Sequence, residues 1–270
     1  VTIFRGYEAQ IEDVPVDEAG LRIDRLKLTL TRLNNLGKFP KLLYTMPTYQ
    51  NPSGATMPYE HRMELLNLSE RYGFLIVEDT AYNELWYDNP PPPSLYELSK
   101  GEGKVIQMGT FSKLMAPGLG IGWALGAKPL ITRFVEFKEN GGTAPLTAHI
   151  AAEFLQRKEF EHHVENIRHI YKQKRDTIIK SLENALDGLL EWDIPRGGYF
   201  VWLRCRQSLN IDSLMENALR EKVSFLPGKY CYASNQHCLD PFIRLAFSAL
   251  SPESIREGIN RLTVAMWKTI

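Results

Sequence analysis

The chain has 270 residues, of which 44% are hydrophobic, and its 32 Lys and Arg residues balance its 32 Asp and Glu residues. A chain of this length and composition can bury a substantial core, in one large domain or in a large and a small one. The balanced charge argues against nucleic acid, polyanionic substrates and anionic membranes as partners, so we expect small molecules and other protein chains.

The cysteines and the apolar runs narrow the class of protein further. Cys205, Cys231 and Cys238 have no CxxC spacing, which argues against a disulfide framework or a metal site. No apolar run approaches the roughly 18 to 20 residues that cross a bilayer, and no signal-peptide pattern opens the chain. We therefore expect a cytoplasmic protein with no membrane contact. Because the chain begins Val1-Thr2 without an initiator Met or a capping signal, we also expect an N-terminal truncation.

The first half alternates short apolar runs with amphipathic segments, a pattern typical of βα units. It predicts strands at 42–46, 74–77, 104–108 and 122–126, with a helix at 61–72. The fold class predicted from these elements is α/β, with a mainly parallel sheet flanked by helices.

The second half has longer helices and a different element order, which predicts a smaller α+β domain. We accordingly divide the chain into a large domain at 1–155 and a C-terminal small domain at 156–270. The predicted elements are helices at 159–185 and 211–222, strands at 197–205, 223–226 and 242–247, and a last helix capped by Ser251 with Pro252 at its first position.

Three polar motifs, NPSG, EDTAY and TFSK, each follow a predicted strand of the first half. In open α/β sheets, ligands bind at the edge formed by the carboxyl ends of the strands. We therefore expect these motifs to line one site.

Lys113 lies in the stretch GTFSKLMAPGLGIGW, four to five residues past a predicted buried strand. A partly desolvated lysine there can act as a base or form a Schiff base with a carbonyl cofactor. The structural alternative is a solvated loop lysine.

Four other residues accompany this lysine. Asp79 closes the most apolar strand, where it either pairs with a cation or caps a helix, and Tyr82 follows it by three residues. Asn51 precedes Pro52 in a turn. Arg244 lies inside the apolar strand FIRLAF, where it either binds a carboxylate or forms an internal salt bridge.

Taken together, an Asn, an Asp with a Tyr three residues later, a Lys and a late Arg in a strand form a recognisable set. The chain resembles the fold-type I pyridoxal-phosphate (PLP) enzymes, and within them class I and II aminotransferases of the kynurenine/2-aminoadipate type. The matching stretches, in the order of the family, are YTMPTYQNPSG, FLIVEDTAYNELWY, GTFSKLMAPGLGIGW, PRGGYFVWL, VSFLPGKYCY and FIRLAFSALSPESIREGINRL.

The resemblance implies a role for each residue that contacts the cofactor. Lys113 holds PLP as a Schiff base and then moves a proton on the substrate. Asp79 pairs with the pyridinium nitrogen, and Asn51 and Tyr82 hydrogen-bond the phenolate oxygen of the ring. These residues make up the implied catalytic centre, with Lys113, Asp79 and Tyr82 as its catalytic residues.

The resemblance also implies the phosphate and substrate contacts. Thr110 and Ser112 offer hydroxyls to the cofactor phosphate, while Arg244, with Asn51 beside it, binds the α-carboxylate of the substrate. The substrates implied are an amino acid of the aromatic, kynurenine or 2-aminoadipate type and a 2-oxo acid such as 2-oxoglutarate. A homodimer is implied as well.

Two departures from the family pattern bear on activity. An arginine commonly follows the lysine by seven residues and binds the phosphate, but this chain has Gly120 there. The family also carries a long segment before the point that matches Val1. We therefore expect weak cofactor binding and poor turnover from the chain as given.

Competing interpretations remain open. GLGIGW has Trp123 where a dinucleotide-binding loop needs glycine, and Thr110-x-x-Lys113 only loosely matches the SxxK of acyl-transferring enzymes. A PLP-binding effector domain of a transcription regulator is the strongest alternative, and a degenerate dimer scaffold is a third. Tyr49, Tyr199 and Phe225 would suit aromatic or long aliphatic substrates or pack in the core.

Overall fold

The computed structural model describes residues 2–139, 141–206, 209–233 and 241–270. Cys238 lies outside them. The described residues form two four-stranded sheets, one in each half of the chain, together with a short two-stranded hairpin near the start.

The first half builds a mixed sheet in the strand order β3-β4-β5-β6. Strands β3, β4 and β5 run parallel and β6 is antiparallel to β5, which confirms the prediction of a mainly parallel sheet flanked by helices. Its elements are α1 (Thr2–Gly6), β1 (Val16–Asp17), β2 (Gly20–Leu21), α2 (Ile23–Asn35), β3 (Leu42–Thr45), α3 (Tyr59–Tyr72), β4 (Leu75–Asp79), α4 (Leu95–Leu98), β5 (Val105–Thr110), β6 (Gly122–Gly126), α5 (Lys128–Glu136) and α6 (Pro145–Leu155).

Helices α2 and α3 cover one side of this sheet. Leu26 and Leu30 of α2 and Leu65 of α3 pack with Ile76 of β4 in one buried cluster. Helix α3 ends at Gly73, whose left-handed backbone (φ 77°) lets its N–H bond the carbonyl of Ser69. The turn at Gly73 leads directly into β4, which begins at Leu75 and ends at Asp79.

The second half builds an antiparallel sheet in the order β7-β8-β10-β9, with helices against it. This arrangement agrees with the predicted strands followed by helices, although the domain division at residue 155 stays a prediction. The elements are α7 (Glu159–Leu186), β7 (Leu190–Trp192), β8 (Phe200–Cys205), α8 (Ile211–Arg220), β9 (Leu226–Pro227), β10 (Phe242–Ala246) and α9 (Pro252–Trp267).

The predicted strand at 223–226 is wrong in its bounds. The C-terminal end of α8 uses the first of these residues: Lys222 has a left-handed backbone (φ 60°), and the N–H of Val223 bonds the carbonyl of Ala218. Only Leu226 and Pro227 reach the register of β10.

The second sheet packs against α7 and α9. Ile178 and Leu182 of α7 and Ile259 and Leu262 of α9 are buried together over it. Ser251 caps α9 by accepting a hydrogen bond from the N–H of Ser254, as predicted. None of the helices in the described part of the chain is long and apolar enough to cross a membrane.

Candidate functional site

The parallel strands of the first sheet bring three of the predicted residues to one edge. In the register, Thr45 lies beside Glu78 and Asp79 lies beside Met108, so β3, β4 and β5 end at the same edge of the sheet, although β5 continues two residues further to Thr110. These strand ends carry three predicted residues. Asn51 lies in the loop after β3, Asp79 is the last residue of β4, and Thr110 is the last residue of β5. This edge is where an open α/β sheet binds ligands.

Asp79 is fixed by two hydrogen bonds. Its carboxylate accepts the hydroxyl of Tyr44 at 2.5 Å and the N–H of Ala81 at 3.0 Å. It does not cap a helix, since the next helix begins only at Leu95. Tyr44, which no local sequence pattern singles out, lies on the neighbouring strand β3. Partial burial together with this hydrogen bond raises the pKa of its phenol.

Tyr82 is buried beside the second sheet. Its ring packs edge-on against Tyr199 at 5.2 Å and against Phe200 at 5.7 Å between centroids. Burial, followed by a hydrogen bond with Tyr199, raises the pKa of the Tyr82 phenol. The phenol is therefore protonated at neutral pH and able to donate.

Lys113 is half-buried in the loop after β5, so the structure supports neither a fully solvated nor a fully desolvated lysine. Its Nζ lies 6.0 Å from the centroid of the Tyr199 ring, so Tyr199 lies close to both Lys113 and Tyr82. The carbonyl of the next residue, Leu114, lies 2.8 Å from Nε2 of His163 on α7. This hydrogen bond connects the loop that carries Lys113 to α7.

Thr110 and Ser112 form a local group of polar atoms ahead of Lys113. The Thr110 hydroxyl lies 2.9 Å from the Ser112 hydroxyl and 3.1 Å from the carbonyl of Ile121, and it accepts the N–H of Ser112 at 3.1 Å. Gly120, next to Ile121, has a left-handed backbone (φ 60°), and a Cβ built on it meets no atom within 4 Å. Position 120, in the loop between β5 and β6, therefore has room for a larger side chain.

Arg244 joins the second sheet to the first. Its Nη1 donates to Oδ1 of Asn51 at 2.6 Å, and its guanidinium carbon lies 4.1 Å from the centroid of the Phe200 ring. Its Nε is buried and has no acceptor among the described residues. Within that same part of the chain, Arg244 forms no ion pair with a carboxylate, so the internal salt bridge is not observed there. An unpaired buried N–H on a cation favours an anionic ligand, and a carboxylate suits a guanidinium.

Two cavities lie near the first sheet. One of about 190 Å³ is lined in part by Tyr44 and Asn51, at the edge formed by the carboxyl ends of the parallel strands. The other, of about 570 Å³, lies between β6 and α5 and is lined by none of the predicted site residues. No group of three or more His, Cys, Asp or Glu side chains that could hold a metal ion occurs within the described ranges.

Comparisons with known proteins agree with this geometry. The model of the family "Aminotransferase class I and II" matches residues 1–262. The chain is 36% identical over 262 residues to aromatic-amino-acid aminotransferase 1 of Thermococcus litoralis, covering 96% of this chain and 62% of that protein. It is 32% identical over 262 residues to the uncharacterized HTH-type transcriptional regulator YdfD of Bacillus subtilis, covering 96% of this chain and 52% of that protein.

A solved structure matches as well. The crystal structure of Pyrococcus horikoshii kynurenine aminotransferase in complex with PMP superposes with a TM-score of 0.93 at 33% identity, covering 99% of this chain and 66% of that one. The chain therefore spans between about half and two thirds of the length of the proteins it matches.

Proposed function

The chain belongs to the class I and II aminotransferase family, and on that premise we propose that it carries cofactor and substrate sites of a PLP-dependent aminotransferase. The proposed reaction transfers the amino group of an aromatic, kynurenine or 2-aminoadipate type amino acid to a 2-oxo acid such as 2-oxoglutarate. The observation that carries the proposal is Arg244, a half-buried cation whose buried Nε has no acceptor among the described residues and whose Nη1 bonds Asn51 in the loop after β3. The names of the Thermococcus and Pyrococcus relatives support the substrate class.

The residues at this edge fit PLP in their chemistry. When bound, PLP accepts the electrons released as the Cα–H bond of the amino acid breaks. Asp79 offers an anionic partner for the protonated ring nitrogen, and the N–H of Ala81 and the hydroxyl of Tyr44 keep its carboxylate oriented. Lys113 supplies the amine that binds the aldehyde and afterwards moves the proton at Cα.

The polar groups around the ring have distinct tasks in this proposal. Asn51 uses its Oδ1 for Arg244, which leaves its NH₂ group to donate to the ring oxygen together with the Tyr82 phenol. Thr110 and Ser112 donate their hydroxyls to the phosphate. Arg244 directs its Nε, which no described residue accepts, to the α-carboxylate of the substrate, which orients the Cα–H bond toward Lys113.

The whole protein, on this proposal, is a cytoplasmic homodimer whose partners are the amino acid and the 2-oxo acid. The balanced charge of the chain supports small-molecule partners over nucleic acid or a membrane surface.

A second candidate function is a PLP-binding effector domain of a transcription regulator. The observation in its favour is the 32% identity to YdfD over 96% of this chain. Such a domain would bind PLP through the same residues but need not complete amino transfer.

The test is an absorbance titration of the chain with PLP, followed by addition of an amino acid and then of 2-oxoglutarate. We expect a visible absorbance band that Lys113→Ala abolishes, a loss of the band with the amino acid, and its return with 2-oxoglutarate. An unchanged spectrum in Lys113→Ala would refute the role of Lys113. A band that responds to no amino acid would favour the effector domain.

A further inference from the structure

Arg62, in the first turns of α3, is a fully buried charge in the interior of the first half. Burial lowers the pKa of its guanidinium to about 10, partly offset by the nearby charge of Glu78. It is therefore still ionised at neutral pH. Burying a cation costs free energy unless its N–H groups have hydrogen-bond acceptors. The acceptors of Arg62 therefore show which part of the structure it stabilises.

Those contacts close the loop at residues 47–57, which carries Asn51. Nη2 of Arg62 donates to the carbonyl of Pro47 at 3.0 Å and to the hydroxyl of Thr48 at 2.8 Å, while Nε donates to the carbonyl of Met57 at 2.9 Å. One planar guanidinium thus holds both ends of the loop. The fixed fork of donors suits this task, whereas the single ammonium of a lysine does not.

Within the loop, backbone bonds continue the closure to its tip. The N–H of Met57 bonds the carbonyl of Pro47 at 2.7 Å, and the N–H of Gln50 bonds the carbonyl of Ala55 at 2.9 Å. Asn51 follows Gln50 directly and accepts Nη1 of Arg244 at 2.6 Å. A continuous series of contacts therefore runs from the buried Arg62 to the exposed Asn51 amide and on to Arg244.

The same guanidinium also contacts the segment that precedes α4. Nη1 of Arg62 donates to the carbonyl of Pro93 at 3.1 Å. The fully buried carboxylate of Glu78 accepts the N–H groups of Leu95 and Tyr96 at 2.7 and 3.0 Å. Arg62 and Glu78 therefore both bind the backbone of the segment 93–96. Glu78 directly precedes Asp79 in β4.

We propose that Arg62 is a positioning residue, which acts by holding the loop at 47–57 so that Asn51 faces Arg244 and the cofactor ring. This role deepens the proposed function and rests on it for its effect on ligands, but the constraint on the loop itself does not depend on a ligand. Arg62 contacts neither substrate nor cofactor; it acts through Asn51.

A double-mutant cycle tests the proposal on PLP and 2-oxoglutarate affinity. We expect Arg62→Lys to weaken PLP binding and 2-oxoglutarate binding by about tenfold each. When Asn51→Ala is already present, Arg62→Lys should weaken each ligand by less than about twofold. Arg175→Lys is the matched control, because Arg175 is buried on α7 and donates to the carbonyl of Pro195. Its effect should be the same with and without Asn51→Ala. An Arg62→Lys effect that is equally large in both backgrounds would overturn the proposal.

A milder variant covers the case in which Arg62→Lys does not fold. Thr48→Val removes one of the four hydrogen bonds of Arg62 with little change of volume. We expect it to weaken both ligands by about twofold to fivefold and to be non-additive with Asn51→Ala in the same way. Additive behaviour of this variant would contradict the proposal.

Hydrogen exchange without any cofactor separates this proposal from the proposed function. We expect peptides covering 47–57 to exchange at least tenfold faster in Arg62→Lys than in the unmodified chain, with no such change in Arg175→Lys. If the unmodified chain binds no PLP, the proposed function is wrong. The exchange rates then test by themselves whether Arg62 holds the loop at 47–57. Unchanged exchange of the loop would show that Arg62 does not hold it.

Discussion

The two sheets of the molecule are stabilised in different ways. Around the first sheet, buried side chains include many polar groups, whereas the core under the second sheet consists of apolar side chains such as Leu186, Leu203 and Leu262. Among the described residues the buried polar and charged side chains before residue 110 are Thr45, Thr48, Arg62, Ser69, Glu78, Thr80, Ser94 and Gln107, and after it there is Arg175.

This difference matches what each sheet does at the candidate site. The loops after β3 and β4 are irregular, and their backbone groups need partners in the interior, which Arg62 and Glu78 provide. The second sheet presents Arg244 and Phe200 on regular antiparallel strands, which apolar packing suffices to hold. Loop geometry depends on buried polar bonds, while the position of a strand residue depends on the apolar core.

The largest expected effect compares the two cores directly. Leu186→Ala and Leu65→Ala each remove a fully buried leucine, and each should lower the free energy of unfolding by about 3 kcal/mol. We expect only Leu65→Ala to weaken PLP binding in the folded protein, because Leu65 lies on α3 with Arg62. Urea denaturation and PLP titration measure the two quantities. Equal losses of PLP affinity in both variants would show that PLP binding does not depend more on the first core than on the second.

The next effect concerns Arg244, a cation on the second sheet that is proposed to bind the substrate. Arg244→Met should weaken 2-oxoglutarate binding by about 30-fold, since charged hydrogen bonds contribute about 2 kcal/mol. Arg204→Met is the control: Arg204 lies on the neighbouring strand β8, largely exposed, with Glu191 at 3.6 Å. Calorimetric titration should show no change for Arg204→Met. Similar affinities for both variants would contradict the role of Arg244.

A smaller effect concerns the phosphate contacts at Gly120. Gly120→Arg should tighten PLP binding by about tenfold, because it adds a cation next to Ile121, whose carbonyl accepts the hydroxyl of the proposed phosphate ligand Thr110. Without PLP it should cost about 1 kcal/mol of stability, since the left-handed backbone disfavours a side chain. Gly118→Arg is the control, because Gly118 also has open space but no positive φ. A comparable gain in affinity from Gly118→Arg would mean that added charge alone is responsible.

The sequence allowed the strands and their polar ends to be predicted. Apolar runs such as 74–77 predicted β4, and Asp79 lies at the carboxyl end of that strand, as expected. Arg62 could not be found this way, because an arginine in an amphipathic helix ordinarily indicates a solvated face. The contact of Asn51 with Arg244 joins residues 193 positions apart, which no local pattern records. Tyr44 was missed for the same reason, since its partner Asp79 is on another strand.

Lys113 is the residue proposed to bond the cofactor, and all the other assigned roles depend on it. The direct measurement is to reduce the PLP-loaded chain with borohydride, digest it and locate the modified lysine by mass spectrometry. We expect one phosphopyridoxyl group per chain, on Lys113. A label on another lysine, or one spread over many lysines, would contradict it.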